Sequence, residues 1–187
     1  MNIKVRLTLL NFLEFAVWGA YLTSMGSFLA NIGLGSDIGL FYSVQGFVSL
    51  IMPALMGIVA DRFIQAQKVL SLCHLLAGTF MLLASFYCIN SEGNVPSSIL
   101  FSLYTASISF FMPTIALANS VSYNALDVAG LDAVKAFPPI RVFGTIGFII
   151  SMWIVDLSGW QTTSYQFLWS GILSILLALY SLNMPKC

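Results

Sequence analysis

Residues 137–149 read Phe137-Pro138-Pro139-Ile140-Arg141-Val142-Phe143-Gly144-Thr145-Ile146-Gly147-Phe148-Ile149, and the apolar run continues to Val155. Proline fits the first turn of a helix, where its missing N–H is no loss, but it disrupts a helix interior. We therefore expect a loop through the two prolines and a helix that starts at about Pro139. The apolar length of this helix is typical of a segment that crosses a membrane.

Three side chains of this helix share one face, because Arg141, Thr145 and Phe148 lie at i, i+4 and i+7. They bring a guanidinium, a hydroxyl and an aromatic ring together in an otherwise apolar segment. A charge just inside a membrane helix usually faces a polar cavity, which makes these residues a candidate binding site. Alternatively, Arg141 only extends to the lipid headgroups, and the residue types alone leave both interpretations open.

The composition is that of an integral membrane protein. Of 187 residues, 59% are hydrophobic and 7% are charged, whereas soluble domains carry roughly 25% charged residues. The net charge of zero gives no basis for nucleic-acid binding. The sequence contains no evident nucleophile–base set, paired catalytic carboxylates or Cys/His metal spacing. An enzyme is therefore the least favoured class, and neither a cofactor nor a metal is expected.

Apolar runs separated by short breaks predict an all-α membrane protein with six transmembrane helices in a single domain, 1–187. The predicted helices cover about 7–31, 38–60, 68–89, 97–123, 140–156 and 164–183. The longest break separates the fourth and fifth helices, from Asn124 to Pro138, and a short surface helix is expected there at about Val128 to Ala136. An even number of helices places both termini on the same side of the membrane.

Basic residues are distributed asymmetrically between the two sides of this topology. All seven Lys and Arg residues fall on the side of the termini: Lys4, Arg6, Arg62, Lys68, Lys135, Arg141 and Lys186. The loops on the other side carry only Asp37, Glu92 and Asp156. Because cytoplasmic loops are enriched in Lys and Arg, both termini are expected in the cytoplasm, with Glu92 and Asp156 on the opposite side.

Two further helices carry polar and aromatic residues at helical spacing. Glu14, Trp18 and Tyr21 repeat at intervals of four and three on the first helix, and Asn119 and Tyr123 at an interval of four on the fourth. We expect these two faces to line a cavity. The third and sixth helices are poorer in strongly polar groups, so we expect them at the lipid-facing periphery.

Glu14 is unusual because a carboxyl inside a membrane helix is costly and usually functional. A low dielectric favours the protonated form of a carboxyl, so Glu14 is a candidate proton carrier. The alternative is a protonated carboxyl that hydrogen-bonds a neighbouring helix and never titrates. The single histidine of the chain, His74, lies on the predicted third helix and is interpreted as a packing residue.

Gly57, Asp61 and Arg62 end the second helix in the pattern Gly-x-x-x-Asp-Arg. Taken alone, this is an ordinary charged helix end. It resembles the loop signature of the major facilitator superfamily, which marks a cytoplasmic gate in those transporters. The match is partial, because the second glycine and the paired basic residues of the full signature are absent and only Lys68 follows.

Three longer stretches, residues 12–22, 52–61 and 137–148, are more specific, together with Phe111-Met112-Pro113-Thr114. They resemble the nucleoside:proton symporter family of that superfamily, the bacterial nucleoside and xanthosine permeases. The resemblance covers the whole chain but only the N-terminal half of such a transporter, which has twelve helices in two six-helix halves with inverted three-helix repeats. It implies a bacterial inner-membrane protein whose C-terminal half is missing here.

The resemblance assigns nucleoside binding to Arg141, Thr145 and Phe148. It also implies that the complete protein performs proton-coupled nucleoside symport by alternating access. The second wall of the cavity would come from the missing half or from a second copy of the chain. Two other functions stay open: transport of a sugar or another small polar metabolite by the same fold, and a membrane scaffold or accessory protein that carries nothing.

Overall fold

Apolar helices dominate residues 2–91 and 94–185, the part of the chain that the computed structural model describes. In order they are α1 (Ile3–Gly19), α2 (Met25–Asn31), α3 (Ile38–Arg62), α4 (Ala66–Asn90), α5 (Ser97–Val128), α6 (Ala133–Leu157) and α7 (Tyr165–Ser181). Short 3-10 turns at Gly35–Asp37 and Trp160–Thr162 precede α3 and α7. Among these helices, α3 to α6 are each long and apolar enough to cross a membrane, and the predicted all-α class is confirmed.

The first membrane segment, predicted as one helix over 7–31, is two helices. α1 ends at Gly19 and α2 begins at Met25, with an irregular turn between them. Glycine disfavours a helix by about 1 kcal/mol relative to alanine, which weakens the segment at this point. One carbonyl of the turn is satisfied by a side chain, since the Tyr42 hydroxyl donates to the Leu22 oxygen at 2.7 Å. Bonds of this kind allow non-helical backbone inside a membrane protein.

The helix predicted to start near Pro139 starts earlier, at Ala133, so that expectation was wrong. The Asp132 side chain caps the helix by accepting from the Lys135 backbone N–H at 3.3 Å. Pro138 and Pro139 therefore lie inside α6, and their missing N–H groups leave two carbonyls of the first turn without helical donors. This end of α6 is exposed, so water can replace those donors.

The long break expected between the fourth and fifth membrane helices is short in the structure. α5 extends to Val128, and residues 129–132 connect it directly to α6. The separate surface helix predicted at about Val128 to Ala136 is therefore wrong. Gly130 has a positive φ of 69°, a conformation that favours glycine, and it turns the chain between the two helices.

The helix predicted at the periphery over 68–89 is the most buried of the four long helices. More than half of the residues in the apolar segment of α4 are buried, whereas Phe41 is the one buried residue of α3. α4 packs between α5 and α7, and two glycines without side chains allow its close contact with α7. A Cβ on Gly78 would lie 2.9 Å from the Gly171 carbonyl oxygen, so the backbones of α4 and α7 approach directly.

Glycines also bring α6 against α1. A Cβ on Gly147 would collide with the Phe12 carbonyl oxygen, and a Cβ on Gly19 would collide with that of Phe148. The two backbones are thus in contact at both positions, as small residues permit in membrane bundles. This close approach determines where the polar face of α6 lies relative to the side chains of α1.

Candidate functional site

A buried hydrogen-bond network surrounds Glu14. This residue lies about 16 Å along α1 from Ile3 at 1.5 Å per residue, and its side chain is fully buried. One carboxyl oxygen, Oε2, lies 2.8 Å from Nε2 of His74 on α4. The other, Oε1, accepts from the hydroxyl of Thr114 on α5 at 2.5 Å. Both carboxyl oxygens are therefore paired inside the bundle, as a buried carboxyl requires.

The network continues from His74 to α7. Nδ1 of His74 lies 3.1 Å from Oγ of Ser174, and the same hydroxyl lies 2.9 Å from the His74 carbonyl oxygen. On α5, the Thr114 hydroxyl is also 2.6 Å from the Phe111 carbonyl oxygen. Side chains from α1, α4, α5 and α7 thus meet in one buried hydrogen-bond network. The hydroxyls of Thr114 and Ser174 each have two possible acceptors in it.

This network corrects two expectations. The Glu14 face of α1 was expected to line a cavity, but Glu14 points into the interior of the bundle, because α4, α5 and α7 pack around it. His74 was interpreted as a packing residue on a peripheral helix, yet it is fully buried and pairs with Glu14. Sequence reasoning also missed Thr114 and Ser174. The one available signal was the need of a buried Glu14 for a partner, and His74 is the single histidine.

Arg141 contacts α1 through an aromatic ring. Its Cζ atom lies 3.8 Å from the centroid of the Phe15 ring, a cation–π contact. Arg141 is half-buried and lies about 12 Å along α6 from Ala133 at 1.5 Å per residue. Because α6 starts earlier than predicted, the guanidinium is a full two turns inside the helix, packed on a ring rather than at the helix end.

Phe148 and Thr145 complete the predicted face of α6. Phe148 is half-buried, and its ring stands edge-on to Trp18, with centroids 6.2 Å apart at 88°. Thr145 lies between Arg141 and Phe148 along the helix and is exposed. The structure therefore brings Arg141 and Phe148 against an α1 aromatic pair, Phe15 and Trp18, and leaves the Thr145 hydroxyl on the open surface of the same face.

The other predicted cavity residues occupy different environments. Tyr21 is fully buried, with its ring edge-on to Tyr104 at 6.0 Å. Tyr123 is 44% exposed and packs on the Phe137 ring at 4.5 Å. Five buried polar atoms lack a hydrogen-bond partner within residues 2–91 and 94–185. Three of them belong to predicted cavity residues: Nε1 of Trp18, the hydroxyl of Tyr21 and Oδ1 of Asn119. Such atoms cost free energy in an apolar bundle unless water or a ligand pairs with them.

The residues of the gate signature lie at the exposed end of α3. Asp61 and Arg62 are both exposed, and Gly57 is half-buried with open space where a Cβ would be. No ion pair of either charged residue occurs within the described part of the chain. The signature therefore presents its charges outward from this bundle.

A bundle of apolar helices with a buried carboxyl–imidazole pair and an adjacent cationic and aromatic face belongs to the class of polytopic membrane transport proteins. Proteins of similar sequence belong to this class. Xanthosine permease of Escherichia coli K12 is 42% identical over 189 residues, which cover 100% of this chain and 43% of the permease. Nucleoside permease NupG of the same organism is 39% identical over 188 residues, 99% of this chain and 43% of NupG.

The crystal structure of nucleoside transporter NupG matches this chain with a TM-score of 0.89 at 38% identity, covering 100% of this chain and 45% of that one. The sequence also matches the nucleoside H+ symporter family over residues 1–187. The chain therefore belongs to the nucleoside H+ symporter family, and the predicted resemblance is confirmed. It spans less than half the length of these relatives. The family consists of transporters, so the chain is a multi-pass membrane protein and not an enzyme.

Proposed function

We propose that this chain forms the N-terminal half of a proton-coupled nucleoside transporter that works by alternating access. The observation that carries the proposal is the α6 face, where Arg141 lies over Phe15 and Phe148 meets Trp18. A guanidinium supplies donors for carbonyl or ribose oxygens, and aromatic rings stack on a base. The family and the names of the relatives agree with a nucleoside as the substrate.

The nucleoside contacts the side chains of Arg141, Thr145 and Phe148, which share one face of α6. The second wall of the cavity comes from a C-terminal six-helix half or from a second copy of the chain, because alternating access requires two bundles that rock against each other. Buried polar atoms of Asn119 and Trp18, which have no hydrogen-bond partner among the described residues, are further contacts for the substrate in this proposal. In this proposal, Tyr21 and Tyr123 lie beside the path that the substrate takes through the cavity.

The chain crosses the membrane six times when α1 and α2 together form one interrupted span and α3, α4, α5, α6 and α7 form the other five. These six passes form two inverted three-helix repeats. The chain lies in the bacterial cytoplasmic membrane with both termini in the cytoplasm, since its basic residues occur on that side. Gly57, Asp61 and Arg62 then form part of a cytoplasmic gate. Glu92 and Lys186, which belong to this topology argument, lie outside the described residues.

Counterflow tests the proposal. The full-length gene product is reconstituted in liposomes loaded with unlabelled nucleoside, and entry of labelled nucleoside is measured with excess sugar as the competitor. We expect exchange of the nucleoside that the sugar does not inhibit. Inhibition of the exchange by the sugar would reassign the substrate, and absence of any nucleoside exchange would favour a scaffold.

The 187-residue chain alone provides a second test. We expect no proton-driven nucleoside uptake from it, because one wall of the cavity is absent. Uptake by a monomer would refute the half-transporter proposal. Uptake that depends on a dimer would assign the second wall to another copy of this chain.

A further inference from the structure

The Glu14–His74 pair has hydrogen-bond partners for two states that differ by one proton. In the first state, the Ser174 hydroxyl donates to the His74 carbonyl oxygen at 2.9 Å, and its oxygen accepts from Nδ1–H at 3.1 Å. One further proton then lies between Nε2 and Oε2, which are 2.8 Å apart. It belongs to either the carboxyl or the imidazole, and the pair is neutral overall in both cases.

Loss of one proton from this state, with the remaining ring hydrogen on Nε2, leaves the same heavy atoms fully paired. The Ser174 hydroxyl rotates and donates to Nδ1, and the remaining ring hydrogen is on Nε2, where it bonds the Glu14 carboxylate. A hydroxyl rotation and a change of tautomer are the only rearrangements. The Thr114 hydroxyl stabilises this carboxylate, because it donates to Oε1 at 2.5 Å. This exchange requires water as the acceptor of the released proton.

The charges around the pair also suit this exchange. The deprotonated pair carries one negative charge, and Arg141 on α6 interacts electrostatically with Glu14. Cys73, beside His74 on α4, is a further titratable group that interacts electrostatically with Glu14. From α5 and α7, the groups that face the pair are the neutral hydroxyls of Thr114 and Ser174. Arg141 is thus the one described cation that compensates the carboxylate.

We propose that Glu14 and His74 together form the proton-binding site of this transporter, with Ser174 as the hydroxyl that switches the tautomer. The proposal rests on the proposed nucleoside transport for its role in coupling. Arg141 links the two sites, because the same guanidinium faces the nucleoside and compensates the deprotonated pair. The nucleoside and the deprotonated Glu14–His74 pair therefore compete for the guanidinium of Arg141.

Nitrogen NMR tests the proton site without any transport. His74 is the single histidine of the 187-residue chain, so 15N-histidine labelling with a histidine-free affinity tag reports this ring alone. We expect the ring to change from a form protonated on Nδ1 to the Nε2–H tautomer as the pH rises. Ser174→Ala should block the tautomer change, whereas Ser102→Ala should not, since Ser102 bonds only the Ser98 carbonyl of its own helix at 2.8 Å. One unchanged spectrum over the pH range in which the chain stays folded would overturn the proposal.

Transport by the full-length gene product tests the coupling. Glu14→Gln and His74→Gln should retain nucleoside counterflow, which needs no net proton movement, and should lose at least ten-fold of the accumulation driven by a pH gradient. Accumulation equal to that of the unmodified protein would overturn the coupling role. Absence of counterflow in the unmodified protein would refute nucleoside transport instead, and the NMR result would still decide the proton site. If neither variant folds, Thr114→Val replaces them, with the same expected loss.

Discussion

The guanidinium of Arg141 on α6 lies directly over the ring of Phe15 on α1, 3.8 Å from Cζ to the ring centroid. These residues are 126 positions apart in the chain, and the contact exists because Gly144 and Gly147 let the two helices touch. One side of the guanidinium is therefore held by a ring, and none of its N–H groups donates a hydrogen bond to the residues that the structure describes, so they can bind an oxygen acceptor.

Replacing Phe15 with leucine should weaken nucleoside binding. Leucine keeps an apolar side chain below Arg141 but removes the π face, and a cation–π contact contributes about 0.5–2 kcal/mol. The expected loss is about 2- to 30-fold in affinity, measured by equilibrium binding to the full-length gene product. Phe47→Leu is the matched control, because Phe47 is 71% exposed on α3. Equal affinities for both variants would show that Phe15 does not position Arg141.

Alanine at Arg141 should cost more binding than alanine at Thr145. A hydrogen bond to a charged group contributes about 1.5–3 kcal/mol, against about 0.5–1.5 kcal/mol for a neutral one. We therefore expect affinity losses of roughly 10- to 150-fold and roughly 2- to 12-fold, respectively. Phe148→Leu should weaken the binding of both purine and pyrimidine nucleosides, because every base presents a π face that stacks on an aromatic ring. Normal affinity in all three variants would place the substrate elsewhere.

A methyl group at Gly147 should destabilise the bundle. The added Cβ would collide with the Phe12 carbonyl oxygen, which belongs to backbone and cannot rotate away. Overpacking of this kind costs about 1–3 kcal/mol, so the melting temperature in detergent should fall. Gly46→Ala is the control, since nothing lies within 4 Å of a Cβ there and alanine favours a helix. A melting temperature unchanged by Gly147→Ala would contradict the close contact of α1 and α6.

Cysteine labelling should distinguish the two sides of the membrane. The three native cysteines are replaced by alanine, and single cysteines are placed at Asn94 and Lys135, which are both exposed. An impermeant maleimide added outside intact cells should label Asn94→Cys and leave Lys135→Cys unlabelled until the cells are broken. The reverse pattern would invert the proposed orientation, and labelling of both sites from outside would contradict the number of passes between them.

Local sequence signals predicted α3 well, because its apolar run has clear limits at both ends. The predicted helix 38–60 is Ile38–Arg62 in the structure. The same reasoning failed for α6, because the Asp132 cap starts the helix before the prolines and exposed backbone tolerates them. It also failed for α4. The burial of α4 depends on Gly78 meeting Gly171, a contact that no local pattern reports.

Composition and motifs alone established an all-helical membrane protein, the transporter family and the shared face of Arg141, Thr145 and Phe148. The helical class and the shared face follow from hydrophobicity and helical period, which are local along the chain, and the family follows from the resemblance of short motifs. Only the tertiary structure decided the partners of Glu14, because His74 is 60 residues and Thr114 100 residues away along the chain. Which helix covers a buried carboxyl depends on the packing of glycine-lined backbones, and that packing is a property of the assembled bundle.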